Sequence, residues 1–401
     1  MKILFLTPRL PYPPHRGDKL KIYHLLRILS RHHKITLLSF VESREEAKLV
    51  ANLAGFCDRI ETVIHPPLKS YAKVTFNLFG VEPFQVAYFN SKLFTEKLKH
   101  ILNQNKIDII HTHLIRMAQY TTNIPDVPRV LDLTDAISLN LERRLQITQN
   151  KFKKIAVYAE MQRMLRYETI LETFERVLVC SDIDRQALLK SAPNAYLDII
   201  HNGLDVDYFQ LRQAEPEPFT ILYTGNMSYL PNEDGILFFY NHIFAEIRQE
   251  IPQVHLYIVG QSPSETVKNL AKDSAVTVTG FVPDIRDYYK RAHVVICPIR
   301  FGAGTLNKVI EAMAMGVPVI STSIACAGMN VTDGENIIFA DRPKEFAQAI
   351  IHLMRNPDIC RRIGEAGRQL VELEHDWEKI VTKLEGIYQN IVELKNNANS
   401  Q

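Results

Sequence analysis

Long apolar runs are the first thing this 401-residue sequence lacks. The stretch after Lys2 ends at Pro8 and Arg9, far short of a secretory signal core or of the roughly 20 residues that a membrane span needs. That leaves a first buried strand as its reading. Charge of one sign is also missing. With a formal net charge of +2, nothing drives the chain as a whole toward nucleic acid, and any anion site must be local. The cysteines Cys57, Cys180, Cys297, Cys326 and Cys360 lie far apart; the spacing argues against a zinc site or a disulfide framework and suits a reducing cytoplasm. A dinucleotide turn is absent too. After the first strand the chain reads Thr7-Pro8-Arg9-Leu10-Pro11, the wrong chemistry for the glycine turn of a nicotinamide oxidoreductase.

What is present is a globular composition, 46% hydrophobic and 23% charged, in a chain too long for one ordinary core. Strand candidates at 3–6, 35–40, 60–64, 107–111, 129–133, 176–180 and 197–200 alternate with helical patterns. The grammar repeats at 220–223, 255–259, 276–280, 294–297, 317–321 and 337–339. Alternation of this kind predicts α/β architecture, two doubly wound parallel sheets covered on both faces. The expected division is an N-terminal domain over 1–204, hinge and linker over 205–218, a C-terminal domain over 219–374, a helix over 375–395 and a frayed tail over 396–401. Ligands of such sheets bind beyond the carboxyl ends of the strands, so two facing domains would make a cleft.

The most informative stretch is Gly302-Ala303-Gly304-Thr305-Leu306-Asn307-Lys308-Val309-Ile310-Glu311, continued by Ala312-Met313-Ala314-Met315-Gly316-Val317-Pro318-Val319-Ile320. It reads as a phosphate loop, a helix and a buried strand in succession. Glycines let backbone amides approach an anion, and a helix N-terminus adds unpaired N–H groups. Leu306, Val309, Ile310, Met313 and Ala314 form an apolar face, with Asn307, Lys308 and Glu311 on the opposite stripe. Lys308 and Glu311 taken alone read more readily as a solvated ion pair, and it is the whole string that points to a site. Gly316 is expected to stop the helix.

The string from Glu311 to Ile320 resembles the signature of retaining glycosyltransferases of sequence family four, which have the GT-B fold. The resemblance implies that Glu311 holds the nucleotide ribose hydroxyls, a task suited to an acceptor-only carboxylate. It implies that Gly17, in the Pro13-Pro14-His15-Arg16-Gly17-Asp18 loop, and Gly225, in Tyr223-Thr224-Gly225-Asn226, approach the donor diphosphate. It also implies that the backbone around Val282 meets the nucleobase, while Gly302, Ala303, Gly304, Thr305 and Leu306 line the donor. The C-terminal helix would cross back onto the N-domain. Each glycine turn taken alone is also an ordinary strand-to-helix connection.

Two departures from the family stand out. The turn after Gly225 reads Asn226-Met227-Ser228-Tyr229-Leu230-Pro231-Asn232, without the arginine and lysine that many members place on the diphosphate, and Ala303 replaces a glutamate. Positive charge must then come from elsewhere, and Arg300 and Lys308 flank the glycine loop. Together with the Asn307–Gly316 string, this turn resembles a narrower bacterial subgroup associated with exopolysaccharide systems. Ile107-Asp108-Ile109-Ile110-His111-Thr112-His113 resembles the family's Asp-x-x-His-x-His string, which implies that His113 lies near the transferred sugar. Arg16 and the pair Asp132 and Asp135, placed after the next strand, are weaker acceptor-side candidates; a solvated loop or cap explains the two aspartates equally well. Asp205-Val206-Asp207 lies in a string that resembles the family's hinge at the end of the N-domain, which implies a hinge rather than a metal motif, and no metal site is expected.

The reading is a cytoplasmic, metal-independent retaining glycosyltransferase without cofactor. Its donor is a nucleotide diphosphate sugar and its acceptor a glycan or lipid-linked molecule, with no nucleic-acid partner. A non-catalytic sugar-nucleotide sensor and a GT-B epimerase are the alternatives. Peripheral contact at the inner face of a membrane is an open option, through aromatic and lysine residues of 66–102 such as Phe84, Tyr88, Phe89, Phe94 and Lys97; helices packed under the N-domain explain the same pattern.

Overall fold

The computed structural model of the chain describes residues 1–14, 17–66, 80–148, 150–213, 215–301 and 307–399. They form two compact units, Met1–His201 together with Ile380–Gln401, and Asn202–Lys379. In the first unit, β1 (Lys2–Thr7), β2 (Lys34–Val41), β3 (Arg59–Ile64), β4 (Ile109–His113), β5 (Arg129–Thr134), β6 (Arg176–Val179) and β7 (Leu197–Ile199) make one parallel sheet in the order β3-β2-β1-β4-β5-β6-β7. In the second, β8 (Thr220–Thr224), β9 (His255–Val259), β10 (Val276–Gly280), β11 (Val294–Cys297), β12 (Val319–Ser321) and β13 (Ile338–Phe339) are ordered β10-β9-β8-β11-β12-β13. The central strands are apolar almost throughout because both faces are covered.

The order reverses beside β1 and again beside β8, where crossovers leave to opposite sides. Such switch points open a crevice at the strand ends. The helix Gly17–Leu29 follows β1, and the helix Asn307–Ala314 follows β11. Gly316 adopts φ +68° two residues after the second helix ends, a conformation that glycine accepts without a β-carbon penalty.

Two expectations need correction. Phe89 and Phe94 are not surface aromatics: Phe94 is fully buried, its ring 4.4 Å from that of Phe40, because the helix Lys92–Gln104 turns its apolar stripe into the core. Residues 67–79 of that candidate membrane segment lie outside the described residues. The C-terminal helix, Trp377–Asn399, runs through most of the stretch expected to fray. Its residues from Ile380 onward belong to the first unit, where Leu384, Tyr388 and Ile391 are buried.

Candidate active site

In the second unit, the helix Asn307–Ala314 buries Val309, Ile310 and Met313, as its period predicts. Lys308 is buried as well, which the expected solvated stripe does not allow. Its Nζ donates to Asn232 Oδ1 at 2.8 Å and to the Tyr223 hydroxyl at 3.3 Å, and lies 4.3 Å from the centre of the Tyr223 ring. The solvated ion pair with Glu311 is therefore not what Lys308 makes. Burial lowers the Lys308 pKa, against the pull of Cys297 and Glu311.

Gly225 follows β8, and its amide donates to the Val259 carbonyl at 3.0 Å. A β-carbon built on it would lie 2.8 Å from Asn232 Nδ2 and 3.1 Å from Lys308 Nζ. The side chain of Lys308 thus brings its ammonium to the turn that lacks its own cation. A larger residue at 225 would displace this group.

Glu311 is half-buried, and its Oε2 accepts from the Tyr289 hydroxyl at 2.9 Å. The hydroxyls of Tyr289 and Thr224 are 3.0 Å apart, so β8, the helix Arg286–Arg291 and the helix of Glu311 are held at one point. Burial raises the Glu311 pKa, while the Tyr289 hydrogen bond and the Lys308 charge oppose the shift. Burial holds the Tyr289 phenol well above its ordinary range, with the Glu311 charge acting in the same direction, so Tyr289 remains a donor.

Arg300 is placed differently. It grips Asp234 through Nε at 2.9 Å and Nη2 at 2.6 Å, and its guanidinium lies 4.5 Å from the Phe238 ring centre. A fork-to-carboxylate pair already compensates its charge. Val282 is half-buried against the second core, just beyond β10. A β-carbon on Gly17 would meet no described atom within 4 Å, so packing alone does not demand glycine there. Arg16, Gly302, Ala303, Gly304, Thr305 and Leu306 lie outside the described residues.

In the first unit, β4 runs two residues further than expected and includes His113, which sits directly opposite Asp132 of β5. Alternation along β4 puts His111 and His113 on one sheet face. Asp132 is neither after its strand nor solvated: it is fully buried. Its Oδ1 accepts from Lys21 Nζ at 2.6 Å, and its Oδ2 lies 3.3 Å from His113 Nδ1 and 3.5 Å from His111 Nε2. Burial alone would raise the Asp132 pKa; Lys21 and the two imidazoles outweigh it and hold the carboxyl well below its usual value. Lys21 is raised in turn, because Asp132 overcomes the cost of burial. Asp135 is half-buried and accepts from Asn140 Nδ2 at 2.5 Å. Burial, then the Asp184 charge, pushes it up to about 6.

His111, His113 and Asp132 bring metal-ligating atoms within 4.8 Å of one another. The cation that Asp132 faces is Lys21, however, and His111 Nδ1 is engaged at 2.6 Å by the Tyr388 hydroxyl. Asp132 and His111 Nδ1 are thus engaged by protein groups, while the Nε2 atoms of His111 and His113 are buried without a hydrogen-bond partner among the described residues. Lys21, Tyr388, Tyr289, Tyr223 and Asn232 went unassigned in the sequence. Asn232 closes and Tyr223 opens turn strings quoted above; Lys21, Tyr289 and Tyr388 carry no local motif.

Two parallel-sheet units of this topology define a GT-B fold. The HepE protein of Anabaena in complex with UDP superposes with a TM-score of 0.69, at 16% identity over 97% of this chain and 100% of that one. Residues 218–356 match the family glycosyl transferases group 1, and the chain is a glycosyltransferase. A Klebsiella pneumoniae protein, "Uncharacterized 44.6 kDa protein in cps region", is 22% identical over 96% of this chain and 98% of its own length. The D-inositol 3-phosphate glycosyltransferase of Streptomyces bingchenggensis (strain BCW-1) is 22% identical over 56% of this chain and 55% of its own, so that match spans about half of the relative. No helix among the described residues is long and apolar enough to cross a membrane.

Proposed function

We propose that the protein transfers a sugar, with retention of anomeric configuration, from a nucleotide diphosphate sugar to a glycan or lipid-linked acceptor in surface-polysaccharide assembly. The observation that carries this reading is the Lys308 ammonium beside the Gly225 turn, with the Glu311 carboxylate three residues along the same helix. Glu311 takes the ribose hydroxyls, and Lys308 stabilises the leaving diphosphate together with backbone amides. Arg300, paired with Asp234, does not share that charge. His113 meets the transferred sugar. The cps-region relative supports the polysaccharide setting, and the UDP complex of HepE makes UDP-sugars the first donors to try.

Retention requires attack from the face that the leaving group departs. In this account the phosphate oxygen takes the acceptor proton, and the protein supplies orientation and leaving-group stabilisation. The test is to present UDP-, GDP- and ADP-sugars with a lipid extract from a polysaccharide-producing bacterium and determine the product anomer by NMR. Transfer of an α-linked sugar from an α-linked donor supports the proposal. A β-linked product, or free epimerised sugar without glycoside, overturns it.

For the lipid-linked acceptor, membrane contact is proposed at the helix Lys151–Tyr167. Phe152 is 85% and Ile155 66% exposed, and the neighbouring Lys151, Lys153 and Lys154 are exposed too. Apolar side chains ringed by lysines suit an anionic bilayer surface. Sedimentation with phosphatidylglycerol vesicles should carry the protein down and Phe152→Ser should reduce it; equal recovery with phosphatidylcholine vesicles would remove the electrostatic part.

A further inference from the structure

A carboxylate can only accept hydrogen bonds, and this fixes the protons on the two imidazoles that face Asp132. Asp132 Oδ2 is hydrogen-bonded to His113 Nδ1 at 3.3 Å and lies 3.5 Å from His111 Nε2, which makes no hydrogen bond but would turn a lone pair on the carboxylate if unprotonated, so each ring presents an N–H toward that atom. His111 then has a lone pair on Nδ1, where the Tyr388 hydroxyl donates at 2.6 Å. His113 has its lone pair on Nε2, which is buried and has no hydrogen-bond partner among the described residues. Lys21, on the other carboxylate oxygen at 2.6 Å, keeps Asp132 ionised and oriented. The two rings are therefore locked in opposite tautomers by one buried carboxylate.

We propose that Asp132 and Lys21 are positioning residues that present His113 Nε2 as a hydrogen-bond acceptor for a hydroxyl of the bound sugar. An unsatisfied buried acceptor is costly in a folded protein and calls for a partner. A sugar hydroxyl is a donor of the required kind. Tyr388 acts one step further out, holding His111 so that its N–H meets the same carboxylate oxygen. The selection follows from the lone pair: a donor sugar with a hydroxyl at this point is accepted, and its deoxy analogue leaves Nε2 unpaired. The sugar contact rests on the transfer reading above. The tautomers do not.

Full-length protein labelled with 15N-histidine, its rings assigned by single His→Gln variants, tests the proposal by long-range 1H–15N correlation. The expected result is Nδ1–H for His113 and Nε2–H for His111. Nε2–H on His113, or a doubly protonated ring at neutral pH, overturns the proposal. In Asp132→Asn, Lys21 retains the amide oxygen and the NH2 group faces the rings, so His113 should move its proton to Nε2. Transfer should then fall by roughly tenfold or more, while affinity for the bare nucleoside diphosphate is unchanged. An unaltered tautomer in folded Asp132→Asn overturns the assignment. If that variant does not fold, Tyr388→Phe and the wild-type spectrum decide, because His113 must keep Nδ1–H in both. Correct tautomers with wild-type transfer by His113→Ala would remove the sugar contact and leave the tautomer assignment standing.

Discussion

The Lys308 ammonium lies 3.1 Å from the point that a β-carbon on Gly225 would occupy. Lys308 and Gly225 come from different elements, a helix and the turn after β8, yet they assemble a single positively charged corner. The turn contributes open space and backbone, and the helix contributes charge. Asn232 orients the ammonium at 2.8 Å and also donates to the Asn226 carbonyl at 2.9 Å, so the same residue fixes turn and cation.

Donor binding should take up protons at alkaline pH. Burial depresses the Lys308 pKa in the free protein, so part of the population is neutral below the ordinary lysine value. A bound diphosphate restores the charged form. Calorimetry with UDP near pH 9, in buffers of different ionisation enthalpy, should show net proton uptake that disappears in Lys308→Met. Buffer-independent heats in the wild type would contradict the role.

Glu311→Gln should weaken donor binding by about 10-fold to 100-fold, the size of a lost charge-assisted hydrogen bond. The amide keeps the shape and loses acceptor capacity. Because burial raises the Glu311 pKa, wild-type affinity should decline on acidification at a pH above the ordinary glutamate range. Calorimetric affinities between pH 5 and 7 check both statements; a Glu311→Gln protein with wild-type affinity removes the residue from the site.

Lys21→Met should cost about 3–5 kcal/mol of stability, because it leaves a buried carboxylate without its cation. Asp132 is depressed, so its contribution is present above the unfolded aspartate value and is lost as pH falls through the folded one. Lys21 is raised, so its contribution holds below the unfolded lysine value and is lost as pH rises through the folded one. Urea denaturation should therefore show the full deficit across neutral pH. The double variant Lys21→Met/Asp132→Leu should regain much of it; a deficit equal to the single variant's would contradict the pairing.

Strand positions were legible in the sequence because buried parallel strands are short, apolar and punctuated, as at 3–6 and 294–297. The helix of Glu311 was legible for the same reason, with Val309, Ile310 and Met313 at its period. Periodicity assigns a residue to a face but does not say what covers that face. Lys308 shares a stripe with Glu311 and was readable as solvated, yet Tyr223 and Asn232 enclose it from elements more than 70 positions away. Lys21 is the same case. It meets Asp132 across 111 positions, and a lysine in an otherwise amphipathic helix gives no sign of its partner. Arg300 was readable as a phosphate cation because Asp234 lies 66 positions upstream. Tyr388 is buried in its helix beside Leu384 and Ile391, and nothing in the local sequence gives the hydroxyl's bond to His111.

The central claim is that Lys308 supplies the charge for the departing diphosphate. It is tested most directly by single-turnover transfer in Lys308→Met beside Arg300→Met, both confirmed as folded. Lys308→Met keeps the aliphatic stem and loses the ammonium. The account predicts a drop of at least about tenfold for Lys308→Met, equivalent to roughly 1.4 kcal/mol of transition-state stabilisation, with Arg300→Met close to wild type. Wild-type turnover in Lys308→Met would contradict the account and leave backbone amides as the phosphate clamp.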